Sequence, residues 1–227
     1  MIIQRATLQN CHTATGTVVV IDVLRAFTTA AYAFDAGADD ITLVSTVEQA
    51  LALQEKIPNT LLMGEIDGLP IPGFDLSNSP AELTGKSLEG RHLIQRTTSG
   101  TQGVVRSTLA ETLLTSSLVC ASATAHKIQE LDPESLTFVI TGSRPGGWGD
   151  EDAACADYIE ALLSGHQPDP EPIFERVRQS APGRLFSDPT QLDFNPVDLE
   201  YCLQIDRFDF VMLVKQEEGL FIMRAIG

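Results

Sequence analysis

Cysteine is scarce in this chain of 227 residues, and no long apolar run occurs. The four cysteines, Cys11, Cys120, Cys155 and Cys202, lie far apart and include no Cys-x-x-Cys pair. They favour reduced, packed thiols over zinc ligands or a disulfide framework. Without a run of about 18 apolar residues, the sequence predicts no membrane span. Residues 1–17 lack the apolar core of a secretory signal, so we expect a cytoplasmic protein.

Basic residues are also few, with 15 Lys and Arg against 31 Asp and Glu and a formal net charge of −16. Such a surface repels nucleic acid and anionic membranes, and we expect neither as a partner. An anion could still bind where arginines, helix N-termini or a bound cation reverse the field locally. The four histidines form no His-x-His or His-Glu-x-x-His motif, which leaves zinc-hydrolase and Ser-His-Asp chemistry without local support.

The chain does contain short apolar runs that alternate with helical segments. Strands are predicted at 18–22, 40–44, 59–63, 91–95, 113–120 and 136–141, and helices at 25–36, 46–56, 101–109, 125–131, 150–163, 172–180 and 197–203. This alternation predicts an α/β fold of layered α/β/α type with a largely parallel or mixed central sheet. Residues 210–214 and 220–224 predict a C-terminal β-hairpin. No internal repeat or polar linker divides the chain, so we expect one domain over residues 1–227.

Acidic residues end two of the predicted strands. Asp22 closes the buried run 18–22, with Arg25 three positions later, and Glu65 follows the strand 59–63. Open α/β sheets bind ligands outside the carboxyl ends of their strands, which makes these residues candidates for a site. The alternative is that Asp22 only caps the next helix and Arg25 is exposed on it. The loop 66–80 is rich in turn residues and long enough to indicate a function.

A hydroxyl-rich loop joins the strand 91–95 to a helix. It contains Arg96, Thr97, Thr98, Ser99, Gly100 and Thr101. Backbone N–H groups at such a helix start can bind an anion, and glycine lets the backbone approach a ligand closely. The alternative is an ordinary Ser/Thr-rich helix cap.

A third strand-to-helix turn, at 142–149, carries Arg144. It leads into Asp150, Glu151 and Asp152 at the start of a helix. These acids either face the same sheet edge as Asp22 or serve only to stabilise the helix through its dipole.

Several of these segments resemble the 2-phosphosulfolactate phosphatase family, in family order and over nearly the whole chain. They are VVVIDVLRAFTT (18–29), GADDITLV (37–44), GE (64–65), GFDLSNSP (73–80), RTTSGT (96–101), ASATA (121–125), EDAACA (151–156) and GRL (183–185). The resemblance implies an α/β, magnesium-dependent phosphatase that removes phosphate from 2-phospho-3-sulfolactate on the route to coenzyme M.

General chemistry suggests a role for each candidate residue in such a phosphatase. Mg²⁺ prefers octahedral oxygen ligands, and a phosphoryl group needs its charge neutralised. The candidate metal ligands are Asp22, Glu65, Asp75, Glu151 and Asp152. The candidate catalytic residues are Asp22 and Arg25. The candidate anion contacts are Arg25, Arg96, Thr97, Thr98, Ser99, Gly100 and Thr101, with Arg144 for a second anionic group such as a sulfonate.

The mechanism stays open between an acid that attacks phosphorus and an acid that activates water. The position two residues after Asp22 is Leu24, which disfavours the haloacid-dehalogenase pattern. We expect a small anionic substrate, and a homo-oligomer is left open. The alternatives are a non-enzymatic module that binds a phosphorylated or sulfonated metabolite, and a phosphatase of this family with another small substrate.

Overall fold

A ten-stranded mixed sheet forms the centre of the computed structural model, which describes residues 1–143 and 148–227. Its strands are β1 (Ile2–Thr7), β2 (Gly16–Ile21), β3 (Asp40–Val44), β4 (Thr60–Ile66), β5 (Leu69–Pro70), β6 (His92–Arg96), β7 (Ala110–Ser116), β8 (Ser135–Ile140), β9 (Val211–Glu217) and β10 (Leu220–Ile226). The helices in these ranges are α1 (Ala26–Asp35), α2 (Val47–Gln54), α3 (Gly100–Arg106), α4 (Ala121–Leu131), α5 (Asp150–Leu163), α6 (Glu171–Gln179), α7 (Ala181–Ser187) and α8 (Pro196–Cys202). The predicted α/β class and the C-terminal hairpin are confirmed.

The strand order is β1-β8-β2-β7-β9-β10-β3-β6-β4-β5. Strands β1, β8, β2 and β7 pair in parallel, and so do β3, β6 and β4. The hairpin β9–β10 lies between these two groups and pairs antiparallel with β7 and β3. The group β3, β6, β4 therefore runs opposite to the group that contains β2.

Strand β2 shows why the protein has three layers. Val18 and Val20 pack into a core with α1 and α3, whereas Val19 and Ile21 pack into a second core with α4 and α5. All four side chains are fully buried, as expected for a strand that is covered on both faces. The continuous apolar run thus produces the predicted α/β/α layering.

The carboxyl ends of β2 and β6 meet, although the two strands belong to opposite groups. The Gln95 amide at the end of β6 donates to the Ala26 carbonyl at the start of α1, over 3.0 Å. Gly100, at the start of α3, lies against Asp22 and Ala26. The twist that builds up over successive strands allows this convergence. As a result, residues that follow β2, β4, β6 and β8 surround one cavity.

Some elements differ from the sequence prediction. Strand β1 was not predicted, because five of its six residues are at least partly exposed and its pattern lacks regular alternation. Helix α7 was missed because it is short and contains Gly183, a poor helix former. Pro182 is compatible with the first turn, and the Ser180 side chain caps the helix by accepting from the Gly183 N–H. Strand β7 ends at Ser116, and residues 118–120 form a 3-10 turn instead of extending the strand.

The four cysteines are buried and free, as the sequence predicts. Over the part of the chain that is described, no helix combines the length and apolar character needed to cross a bilayer.

Candidate active site

A cavity of about 120 Å³ lies where the ends of β2, β4, β6 and β8 meet the start of α5. Its walls combine acidic, hydroxyl and aromatic side chains. The lining residues are Asp22, Leu24, Arg25, Glu65, Asp67, Gly68, Asn78, Thr98, Ser99, Gly142, Trp148, Glu151, Asp152, Pro182, Leu185, Phe186 and Phe194.

Asp22 follows β2 directly and is buried at the cavity wall. Its Oδ1 accepts from the Ala26 N–H over 3.0 Å, so Asp22 does cap α1. Its Oδ2 lies 3.3 Å from the Thr141 hydroxyl, which is also 2.9 Å from the Ile21 carbonyl. The two alternatives from the sequence are therefore compatible, since one carboxylate both caps the helix and lines the cavity.

Glu65, in β4, reaches the same cavity from the other strand group. Its Oε1 accepts from the Thr98 N–H, and its Oε2 accepts from the Gly68 N–H and the Thr98 hydroxyl. This carboxylate therefore joins the loop after β6 to the turn after β4.

Asp152 and Glu151, in the first turn of α5, have different surroundings. Asp152 accepts from the Val23 N–H over 2.8 Å and from the Gly142 N–H over 2.9 Å, which ties α5 to the ends of β2 and β8. Glu151 is only 3% exposed, and its Oε2 has no hydrogen-bond partner among the described residues. Both side chains line the same cavity as Asp22, as the first of the two alternatives expects.

The acids of the cavity strongly affect one another's ionisation. Burial raises the pKa of Asp22 well above its usual range, and the charges of Asp152 and Glu65 raise it further. Burial also raises the pKa of Glu151 to about 7, with Asp22 adding to the rise. The pKa of Asp152 is raised by burial and by Glu151. A cation in the cavity would stabilise the ionised forms of all of them.

The donor set fits Mg²⁺. In residues 1–143 and 148–227, no group of three or more His, Cys, Asp or Glu side chains forms a ready-made metal cluster. Mg²⁺ does not need one, because it is usually held by one or two carboxylates together with waters and substrate phosphate. The unpartnered Oε2 of Glu151, buried beside Asp22, is the kind of ligand atom such an ion requires.

Arg25 is buried and lines the same cavity, rather than being exposed on α1. Its Nη1 forms an ion pair with Asp198 Oδ2 at 2.6 Å, and its Nη2 donates to the Gly68 carbonyl. The guanidinium lies 5.1 Å from the ring centre of Phe186 and 5.8 Å from that of Phe194. These contacts hold the side chain in place and leave some of its five N–H donors for a ligand.

The hydroxyl-rich loop contributes less to the cavity than its sequence predicts. Thr98 and Ser99 line the cavity, whereas Thr97 and Thr101 are buried and bond to each other through backbone N–H and hydroxyl groups. The Thr98 N–H is already used by Glu65. In this structure the N–H groups of Thr97, Thr98 and Thr101 are therefore used within the protein, and the predicted anion contacts of this loop stay a prediction.

Three further candidates also do not reach the cavity. Arg96 is not among its lining residues, and its Nη1 donates to the Glu65 carbonyl over 2.8 Å. Gly100 packs closely against Asp22, because a Cβ added at Gly100 would lie 2.9 Å from Asp22 Oδ2. Asp75 is exposed, and its Oδ2 accepts from the Leu62 N–H and the Gln54 amide, so in this structure it anchors a loop to β4 away from the other candidate metal ligands. Arg144 lies outside the described residues.

Sequence reasoning did not predict the wall that residues of the segment 182–194 form, or the support that Asp198 gives to it. Phe186 and Phe194 come from a proline-rich stretch that gives no sign of a site, and Asp198 lies in the first turn of α8. Asn78 could have been found, because it lies inside the segment GFDLSNSP.

Comparison with known proteins shows similarity to one family over most of the chain. The model of the 2-phosphosulpholactate phosphatase family matches residues 3–217. A relative from Bacillus subtilis (strain 168) is 38% identical over 200 residues, which cover 88% of this chain and 87% of the relative. A relative from Carboxydothermus hydrogenoformans is 34% identical over 219 residues, covering 92% and 90%. One from Thermoplasma volcanium is 33% identical over 193 residues, covering 85% and 86%. All three are named probable 2-phosphosulfolactate phosphatase.

Proposed function

Because the chain belongs to the 2-phosphosulfolactate phosphatase family, we propose that it is a phosphoric monoester hydrolase that converts 2-phospho-3-sulfolactate to 3-sulfolactate and phosphate. We further propose that it uses Mg²⁺ and acts on the route to coenzyme M. The observation that carries the proposal is the cavity, where buried carboxylates from two groups of strands face a buried arginine.

Asp22 and Glu151 are the residues proposed to hold Mg²⁺. They are buried near each other, and each has an oxygen that no backbone N–H group occupies. When bound, the ion would neutralise charge on the phosphoryl oxygens. Asp152 and Glu65, whose oxygens are occupied by backbone N–H groups, are proposed to position the loops around the site.

Arg25 is proposed to bind the anionic substrate through the donors that Asp198 and Gly68 leave unused. Charge-assisted hydrogen bonds from arginine suit phosphate and carboxylate oxygens, and the aromatic contacts keep the guanidinium in one orientation. The hydroxyl of Ser99 is a further neutral contact at the same wall. In the overall reaction, water adds its oxygen to phosphorus, the bond from phosphorus to the ester oxygen breaks, and that oxygen takes a proton.

The test is phosphate release from 2-phospho-3-sulfolactate and from p-nitrophenyl phosphate, each with Mg²⁺ and after EDTA treatment. We expect turnover that EDTA removes and Mg²⁺ restores. Turnover of the chromogenic ester without turnover of 2-phospho-3-sulfolactate would point to a different small substrate. Tight binding of the phosphosulfolactate without phosphate release would instead favour the non-enzymatic binding module.

A further inference from the structure

Asn78 is a buried polar residue without a partner at the wall of the cavity. It is 3% exposed, its Oδ1 is fully enclosed, and neither amide atom makes a hydrogen bond to any described residue. Buried amides almost always have hydrogen-bond partners. The missing partner therefore calls for an explanation.

A loosely held loop does not explain it, because the residues on both sides of Asn78 are anchored. The N–H and hydroxyl of Ser77 both donate to Glu82 Oε2, over 2.9 Å and 2.6 Å. The Ser79 hydroxyl donates to Asp198 Oδ1 over 2.6 Å. The backbone at Asn78 is thus fixed, and the amide stays at the cavity wall.

The same anchor connects Asn78 with Arg25. Asp198 accepts from the Ser79 hydroxyl with one oxygen and pairs with the Arg25 guanidinium through the other. Asp198 therefore fixes the residue next to Asn78 and the guanidinium of Arg25, and both Asn78 and Arg25 line a cavity that also contains the carboxylates of Asp22, Glu65, Glu151 and Asp152.

We infer that Asn78 is a substrate-binding residue whose side-chain amide donates a hydrogen bond to the phosphoryl group. This inference rests on the proposed function. A phosphoryl group is negatively charged. Beside the carboxylates of Asp22, Glu65 and Glu151 it therefore needs neutral or cationic hydrogen-bond donors. The Thr98 hydroxyl already bonds to Glu65, and Arg25 is partly used by Asp198. The amide nitrogen of Asn78 donates to no described residue and, unlike Oδ1, is not fully enclosed, so it is the atom that can reach a ligand in the cavity.

The experiment compares wild type with Asn78→Leu and Asn78→Ala by calorimetric titration with inorganic phosphate in the presence of Mg²⁺. We expect both variants to bind phosphate about 10-fold or more weakly, the range of a hydrogen bond to a charged group. Asn78→Leu should keep or raise the melting temperature, since it removes an unpaired buried amide. In turnover of the phosphate ester, the loss should appear in KM as well as in kcat.

Thr29→Val is the matched control, because the Thr29 hydroxyl is also buried without a partner but does not line the cavity. It should leave phosphate affinity unchanged. If Asn78→Leu lowers the melting temperature and binds phosphate like wild type, Asn78 is structural and the inference is wrong. Wild-type protein that binds phosphate but hydrolyses no ester would contradict the proposed function alone, and weaker binding by Asn78→Leu would then still support the inference. Wild-type protein that binds no phosphate would overturn both.

Discussion

Arg25 and Asp198 form a buried ion pair, with 2.6 Å between Nη1 and Oδ2, although 173 positions separate them in the chain. Asp198 is completely buried and also accepts from the Ser79 hydroxyl and the Ala81 N–H. One carboxylate therefore joins α8, the segment after β4 and the start of α1 around the cavity.

We predict that Asp198→Ala lowers the free energy of unfolding by about 3–5 kcal/mol, because it leaves the Arg25 charge buried without its partner. The substitution should also reduce kcat/KM, since Arg25 loses its fixed orientation. Urea denaturation and steady-state kinetics measure the two effects. Glu130→Ala, which breaks the exposed pair with Lys127, is the control and should change neither. An Asp198→Ala protein as stable as wild type would show that the pair is dispensable.

Asp22→Asn should lower kcat about 100-fold or more while the melting temperature stays equal or rises. Asparagine keeps an oxygen for the Ala26 N–H and caps well, and loss of the charge relieves repulsion from Asp152 and Glu65. Phosphate release and thermal unfolding check this prediction. If Asp22 serves only as a cap, the variant will retain most of the activity.

Stability of the metal-free protein should fall as the pH rises from about 4.5 to 7. Over this range Glu151 is protonated in the folded protein, where its pKa is about 7, but ionised in the unfolded chain, where it is about 4.5. The folded state therefore binds more protons than the unfolded chain. Raising the pH over this range should lower the free energy of unfolding by roughly 3 kcal/mol through Glu151. The raised pKa values of Asp22 and Asp152 act in the same direction.

Glu151→Gln isolates this effect, because glutamine does not titrate. Urea unfolding of both proteins in EDTA, at pH 5 and pH 8, should give a smaller loss of stability for the variant. Equal losses would mean that Glu151 ionises normally.

The sequence predicts those parts of the structure that depend on patterns among neighbouring residues. The run from Val18 to Ile21 identifies a strand because burial on both faces leaves a continuous apolar pattern. Asp22, Glu65 and Glu151 were predicted as site residues because each follows or ends a strand, or starts the next helix. All three line the cavity.

The parts that could not be predicted depend on distant contacts. Asp198 looks like any acid in a first helical turn, and only the folded chain brings it to Arg25. Thr97 and Thr101 have the composition of an anion loop, but their spacing also lets them bond to each other, and that local pairing takes the N–H groups. Nothing in the apolar runs 210–214 and 220–224 says that they will lie in the middle of the sheet.

Gly100→Ala should reduce both stability and kcat. The added Cβ would lie 2.7 Å from the Ala26 Cβ and 2.9 Å from Asp22 Oδ2, so Asp22 must move. Overpacking of this kind typically costs about 1–3 kcal/mol. Gly16→Ala, at the opposite end of β2 from Asp22, is the control, since its added Cβ would meet the Ser135 side chain and so should affect only stability. Thermal unfolding and kinetics distinguish the two, and wild-type kcat in Gly100→Ala would contradict the prediction.

The position of the hairpin β9–β10 has a consequence for folding during synthesis. These strands follow all the others in the chain, yet they separate β7 from β3. Until they emerge from the ribosome, each half of the sheet has an unpaired inner edge, and such edges attract other strands. Long-range pairing of this kind also slows folding. A nascent chain that stops before residue 211 should therefore depend on chaperones and aggregate when released, even though it already contains every residue that lines the cavity.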